Sequence, residues 1–256
     1  MYPEFNAEKD KQKIIDFIRM WFAINASPQT KAVIGISGGK DSSITAALCV
    51  EALGKDNVIG VLMPNGIQSD IDDALAVVKH LGIQYRIVNI ESAYKAMLKA
   101  VQYTEEKSDN NFYFSLTEQL TQNLAPRLRM SALYAVAQGV YGGGRVINTC
   151  NRSEDYVGYS TKFGDSAGDM SPLGAYTVDE VLAIGDTLDL PKKLVHKTPS
   201  DGLCGKTDED NLGFTYAVLD KYIKTGECED ETIRKNIDEL HDMNAHKLKP
   251  MPMVKR

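Results

Sequence analysis

A short apolar run, Val33-Ile34-Gly35-Ile36, passes directly into Ser37-Gly38-Gly39-Lys40-Asp41-Ser42, after which Ile44, Ala47 and Leu48 restart helical spacing. A buried strand that breaks through two glycines into a helix opens a crossover, and a crossover returns the chain to a parallel strand. The alternation continues. Residues 58–63 form a second buried run closed by Pro64-Asn65-Gly66. Ser69-Asp70 begins a helix carrying Ile71, Leu75 and Val78, and Gly82 ends it before a third strand over 83–90. Residues 116–140 read as one or two helices, and Gly142-Gly143-Gly144 leads into a fourth strand over 145–148. Near-continuous apolar strands separated by helices predict an α/β fold, doubly wound, with a mostly parallel sheet covered on both faces. An amphipathic helix over 7–24, with Ile14, Ile18 and Trp21 on one side, precedes the first strand, and helices over 178–188, 214–224 and 230–241 form a helical C-terminal part. Residues 104–111 carry the weakest pattern and read as a mobile loop.

With 256 residues and no repeat or low-complexity linker, the chain reads as a single domain large enough to fold without disulfide or metal. Its 29 Lys and Arg against 35 Asp and Glu leave a net charge of −6, which argues against a non-specific nucleic-acid or anionic-membrane binder. Any polyanionic ligand must meet a local cation cluster or a metal. Cys49, Cys150, Cys204 and Cys228 stand apart, without CxxC pairs, as reduced thiols of a cytosolic protein do. The N-terminus lacks a signal-peptide core and no apolar stretch approaches the ~18 residues of a membrane helix, so a cytoplasmic protein is expected.

The glycine turn carries the chemistry. In an open parallel sheet, ligands sit beyond the carboxyl ends of the strands, and the first strand-to-helix turn holds phosphate on helix N-terminal N–H groups. The turn is not a Walker A loop, because Ile34 stands where its first glycine belongs and Asp41 follows Lys40; a GxGxxG fingerprint fails too. Ser-Gly-Gly-x-Asp-Ser resembles the pyrophosphate-binding loop of the ATP pyrophosphatases, which cleave ATP between its α- and β-phosphates. Gly38 and Gly39 let the backbone approach oxygen atoms, Ser37 and Ser42 add hydroxyls, and Asp41 offers a hard carboxylate to the Mg²⁺ that travels with ATP. After the fourth strand, Asn148-Thr-Cys-Asn-Arg-Ser-Glu154 places Thr149 and Glu154 where they can reach the same crevice, Glu154 as a second metal ligand. An acid in a helix's first turn is also favoured by the helix dipole alone.

The order SGGKDS, PRLRM, NTCNRSE, GYSTKFGD, DMSPLG, KTPSDGL, KTDED with LGFTY, and a final HK resembles the ammonia-dependent NAD⁺ synthetases over almost the whole chain. The resemblance implies a ligase that adenylates the nicotinate carboxylate of deamido-NAD⁺ with ATP, releases pyrophosphate, and lets ammonia displace AMP. It implies a homodimer with the dinucleotide site near the subunit interface. Carried over position by position, it puts Gly35, Ile36, Ser37, Gly38, Gly39, Lys40, Asp41 and Ser42 on ATP together with Thr149 and Ser200, and Asp41 and Glu154 on Mg²⁺. Arg127, Lys162, Asp169, His246 and Lys247 fall where the family contacts deamido-NAD⁺. Two positions depart: Val178 stands where many members carry an ATP-contacting Lys, for which Lys206 is a substitute, and Ser200 replaces the usual Thr. Two other readings stay open, another user of the same loop such as a tRNA-thiolating or GMP-synthetase-like enzyme, and a non-catalytic adenine-nucleotide-binding protein. Thiolation commonly recruits paired cysteines and a basic surface, which this chain lacks, and a non-catalytic binder does not need Asp41 and Glu154 together.

Overall fold

The computed structural model describes residues 2–67, 71–102, 115–197 and 207–254. Four strands, β1 (Lys31–Gly35), β2 (Val58–Leu62), β3 (Gln84–Ile87) and β4 (Gly144–Ile147), form one parallel sheet in the order β3-β2-β1-β4. Between them run α2 (Lys40–Leu53), α3 (Ile71–Leu81), α4 (Glu91–Gln102) and α5 (Glu118–Gly139), with α1 (Ala7–Asn25) ahead of the sheet. The C-terminal part is helical, as the sequence predicts: α6 (Arg152–Val157), α7 (Val178–Gly185), α8 (Lys192–Val195), α9 (Asp208–Leu212), α10 (Tyr216–Thr225) and α11 (Glu231–Asn244).

Alternation along each strand sorts the core into two layers. Ala32 and Ile34 of β1 join Ile14 and Ile18 of α1, Ile44 and Leu48 of α2, and Val77 of α3 on one face. Val33, level with Ile59 of β2 and Val146 of β4, faces Met130, Leu133 and Ala137 of α5 on the other. Every residue of β2 is buried, and burial on both faces is why it reads as an unbroken apolar run. The third strand differs from the sequence reading. Ile83 and Ile90 are buried but lie outside the paired segment, and all four residues of β3 are exposed, because it closes one edge of the sheet. The helix α4 escapes the sequence reading because none of its residues is buried. The stretch read as one or two helices over 116–140 forms the single helix α5, Glu118–Gly139, which continues through Pro126 at the loss of one backbone hydrogen bond. The helix expected over 178–188 ends at Gly185, and the start proposed at Ser69-Asp70 and the loop at 104–111 lie outside the described residues.

A third cluster joins Val157, Val178, Leu212, Phe214, Leu219 and Ile237, so the C-terminal helices pack on one another. A buried carboxylate pins them. Asp220 on α10 accepts hydrogen bonds from the Ser153 hydroxyl of α6 at 2.5 Å and the Asp179 N–H of α7 at 2.9 Å. Burial raises its pKa from 3.8 to about 6. Because the folded pKa is raised, the carboxyl's contribution to stability is present at low pH and is lost as pH climbs through about 6. Asp220→Asn cannot titrate, so its stability relative to wild type should improve by about 2 kcal/mol between pH 4.5 and 7.5. Chemical denaturation at both pH values measures this, and a pH-independent gap between the two proteins would contradict it.

Candidate functional site

The chain leaves β1 for β2 on one side of the sheet and returns to β4 on the other, so the switch of direction falls between β1 and β4. Crevices at such points hold ligands in open parallel sheets. Here the loop 36–39 faces the loop 148–151, and α2 and α6 both begin at this end. The serines of the glycine turn brace it. Ser37 Oγ and Ser42 Oγ lie 3.0 Å apart, Gly39 N–H donates to Ser37 Oγ at 3.2 Å, and Ser43 Oγ donates to the Gly39 carbonyl at 2.7 Å. The hydroxyls expected to face phosphate thus hold the loop's shape in this state. Gly38 adopts φ +82°, and a Cβ there would lie 2.7 Å from Ala74 N and 2.9 Å from Asp73 Cβ, so the loop sits directly on the first turn of α3.

Asp41 and Glu154 are brought together through Asn151, which is fully buried. The Asn151 side-chain amide donates to Asp41 Oδ1 at 3.1 Å. Its backbone N–H donates to Glu154 Oε2 at 3.2 Å, and its side-chain oxygen accepts from Glu154 N–H at 3.0 Å, a complete capping box on α6. Burial, reinforced by the Asp41 charge, pushes the Glu154 carboxyl well above the usual range. Lys40 fills the space beside them, its ammonium 2.8 Å from Asp41 Oδ2 and 5.6 Å from the centre of the Tyr216 ring. Burial opposes its charge, but Asp41 and Glu154 offset that and hold its pKa above the ordinary lysine value. Among the described residues no three acidic, His or Cys side chains converge on one point. Two carboxylates fit a magnesium ion that completes its shell with phosphate oxygens and water, the usual way Mg²⁺ is held with a nucleotide. Sequence reasoning passed over Asn151, although its Asn-x-x-Glu spacing to Glu154 is a legible capping signal.

A second group lies on α5, the loop after α6 and the C-terminal tail. Arg127 Nε donates to the Lys162 carbonyl at 3.2 Å, and Lys162 Nζ donates to the His246 carbonyl at 2.9 Å. Lys247 Nζ donates to the carbonyls of Gly158 and Ser160 at 2.7 and 3.0 Å, so the tail is tied down rather than frayed. Gly158 permits this clamp, since at φ +64° a Cβ would lie 2.2 Å from Asn244 Cβ. Three of the five residues assigned to deamido-NAD⁺, Arg127, Lys162 and His246, thus gather through direct contacts, and Lys247 follows His246 in the chain. The fifth, Asp169, is fixed separately, accepting from Val146 N–H at 2.7 Å and from the Tyr134 hydroxyl at 3.2 Å along the β4 edge. Thr149 is half-buried between Asn148 and Cys150. Val178 is buried with the C-terminal helices and lines a pocket of ≈ 360 Å³ that it shares with Lys40, Lys197, Asp208 and Tyr216. Ser200 and Lys206 lie outside the described residues.

A doubly wound parallel sheet with a glycine turn and a half-buried carboxylate pair at its switch point defines a nucleotide-binding α/β protein. The NAD synthase family model matches residues 11–252. An NH₃-dependent NAD⁺ synthetase of Archaeoglobus fulgidus is 35% identical over 258 residues, covering 98% of this chain and 98% of that protein. The NMN synthetase structure from Francisella tularensis superposes with a TM-score of 0.86 at 32% identity, covering 99% of this chain and all of that one. The NH₃-dependent NAD synthetase structure from Campylobacter jejuni, in complex with nitrate, gives 0.75 at 29% identity over 98% of this chain and all of that one. The chain belongs to the NAD synthase family, and it is an ATP-using ligase.

Proposed function

We propose that this chain makes NAD⁺ from deamido-NAD⁺, ATP and ammonia as a single catalytic unit of the cytoplasm. The observation that carries the reading is the buried Asn151, which joins the Asp41 carboxylate of the glycine turn to the Glu154 carboxylate beyond β4. In the first half-reaction the nicotinate carboxylate attacks the α-phosphorus of ATP and pyrophosphate leaves. In the second, ammonia attacks the acyl carbon and AMP leaves with the carboxylate oxygen it had joined. Asp41 and Glu154 would hold Mg²⁺, which when bound supplies positive charge against the departing pyrophosphate. The turn at Gly38-Gly39 brings backbone close to the phosphates, and the N-terminus of α2 turns its unpaired N–H groups towards them. Arg127, Lys162, His246 and Lys247 would orient the dinucleotide, so that catalysis is mainly positioning and charge neutralisation.

Pyrophosphate release from ATP that requires both deamido-NAD⁺ and ammonium, with NAD⁺ as product, tests the reading; release independent of the acceptor would refute it. Ammonium alone should support synthesis and glutamine alone should not. The rate at fixed total ammonium should rise with pH as free NH₃ increases, until protein groups titrate. Lys162→Ala should raise the KM for deamido-NAD⁺ about tenfold and leave that for ATP within about twofold. The opposite split would move Lys162 out of the dinucleotide site.

A second reading is favoured by one observation, the closer superposition on the F. tularensis NMN synthetase, 0.86 against 0.75. In that reading the acceptor is nicotinate mononucleotide and the chemistry at the carboxylate is the same. Comparing kcat/KM for the two acceptors separates them. The exposed apolar side chains Tyr85 and Ile87 on the β3 edge and Met97 and Val101 on α4 suit the surface of a homodimer. Sedimentation equilibrium reads the mass directly, and a monomer at micromolar concentration would remove that assignment.

A further inference from the structure

Among the described residues, Lys40 is the one buried cation. Its side chain is 5% exposed, yet it stands at the open crevice, where it contacts Asp41, faces Glu154 and Tyr216, and lines the ≈ 360 Å³ pocket with Asp208. A buried lysine needs a counter-charge, and here the counter-charges are the two carboxylates fitted to hold Mg²⁺. The ammonium and a divalent cation cannot both sit against Asp41 Oδ2 without strong repulsion. Phosphate oxygens arriving at the glycine turn offer Lys40 an alternative partner on its own loop.

We propose that Lys40 is an exchangeable counter-ion: it offsets part of the negative charge of the Asp41 and Glu154 pair in the nucleotide-free enzyme and passes to the phosphates of ATP when the metal takes the carboxylates. The proposal rests on Asp41 and Glu154 being the metal pair. Its consequence is a coupling between the two ligands. Free metal meets an Asp41 carboxylate already occupied by the ammonium and binds weakly, while nucleotide draws Lys40 away and exposes the carboxylates. By linkage, metal must favour nucleotide to the same extent. No bond is made or broken, and one ammonium changes partners.

The test measures binding rather than turnover. Mn²⁺ affinity is read by electron paramagnetic resonance at pH 8, with and without the uncleavable analogue α,β-methylene ATP, for the wild type, Lys40→Gln and Lys40→Arg. Analogue affinity is read by calorimetry in EDTA. In Lys40→Gln, Mn²⁺ affinity without nucleotide should rise about fivefold, analogue affinity in EDTA should fall about tenfold, and the enhancement of one ligand by the other should shrink. Lys40→Arg keeps the charge and should keep the weak nucleotide-free metal affinity. A purely structural lysine would weaken both ligands together when replaced, and that result, or unchanged Mn²⁺ affinity in folded Lys40→Gln, overturns the proposal. If wild type with analogue binds no Mn²⁺, the metal pair itself is wrong and both readings fall. If wild type binds Mn²⁺ and Lys40→Gln behaves identically, only the exchange is lost.

Discussion

Asp41→Asn is expected to fold normally and to lose about 10³-fold in kcat, roughly 4 kcal/mol of transition-state stabilisation. The amide keeps the shape of the carboxylate but is a poor ligand for a hard cation. It also disturbs two local contacts, since Asp41 accepts from both Asn151 and Lys40. Glu154→Gln should cost a similar factor. The informative measurement is the double variant. If the two carboxylates serve one metal, removing the second after the first should cost far less than its effect alone, so the combined loss should fall well short of 10⁶-fold. Circular dichroism and thermal melts separate this from unfolding, and wild-type turnover in folded Asp41→Asn would remove the residue from the metal site. Strictly multiplicative losses would mean that the two side chains act independently.

Gly38→Ala should be nearly as damaging, through the backbone rather than the chemistry. An L-residue at φ +82° carries a strain of about 1–2 kcal/mol. The added methyl group meets Ala74 N at 2.7 Å and Asp73 Cβ at 2.9 Å, atoms of the α3 first turn that cannot swing away as a side-chain tip could. Either the turn or the start of α3 must move. Because Ser37, Gly39, Ser42 and Ser43 are tied by hydrogen bonds within that turn, a shift at Gly38 spreads to the whole loop. ATP affinity is expected to fall about 10²-fold, with a loss of roughly 2–4 kcal/mol in stability. Gly39→Ala makes the control for stability: its φ is −82° as N-cap of α2 and the nearest contact of a Cβ is the Ser37 hydroxyl at 3.3 Å, so its stability should change by less than about 1 kcal/mol. Equal losses of stability at the two glycines would show that the left-handed backbone is not what Gly38 provides.

The particular elements explain which parts of this architecture were legible in the chain alone. The strand, glycine turn and helix from Val33 to Leu48 were readable because every signal lies within a few residues: apolar run, turn glycines, restart of helical spacing. The same holds for α1, whose Asn6 cap accepts from Lys9 N–H at 3.0 Å and whose Ile14 and Ile18 are buried. The loop's acid at Asp41 was assigned from its place in that turn and from a resemblance spread over eight ordered motifs. β3 was overextended because Ile83 and Ile90 look like strand residues, whereas burial at its two ends and exposure between them is a property of a sheet edge.

Local and periodic features were readable without the fold: the doubly wound class, the glycine turn after the first strand, the helical C-terminal part, and the net charge of −6 that any polyanion would have to meet. Which distant groups share a space depends on how the elements pack. Asp41 and Asn151 are 110 residues apart and meet because β1 pairs with β4 as well as β2. Lys40 is buried against Asp41, with the Tyr216 ring of α10 5.6 Å away and the Glu154 charge of α6 acting on it. Lys162 and His246, 84 residues apart, meet because α11 packs on α6 and returns the tail to the loop after it. Periodicity records which face of an element is buried, but the partner of that face is set by the burial of the whole chain, and charges inherit their neighbours from it.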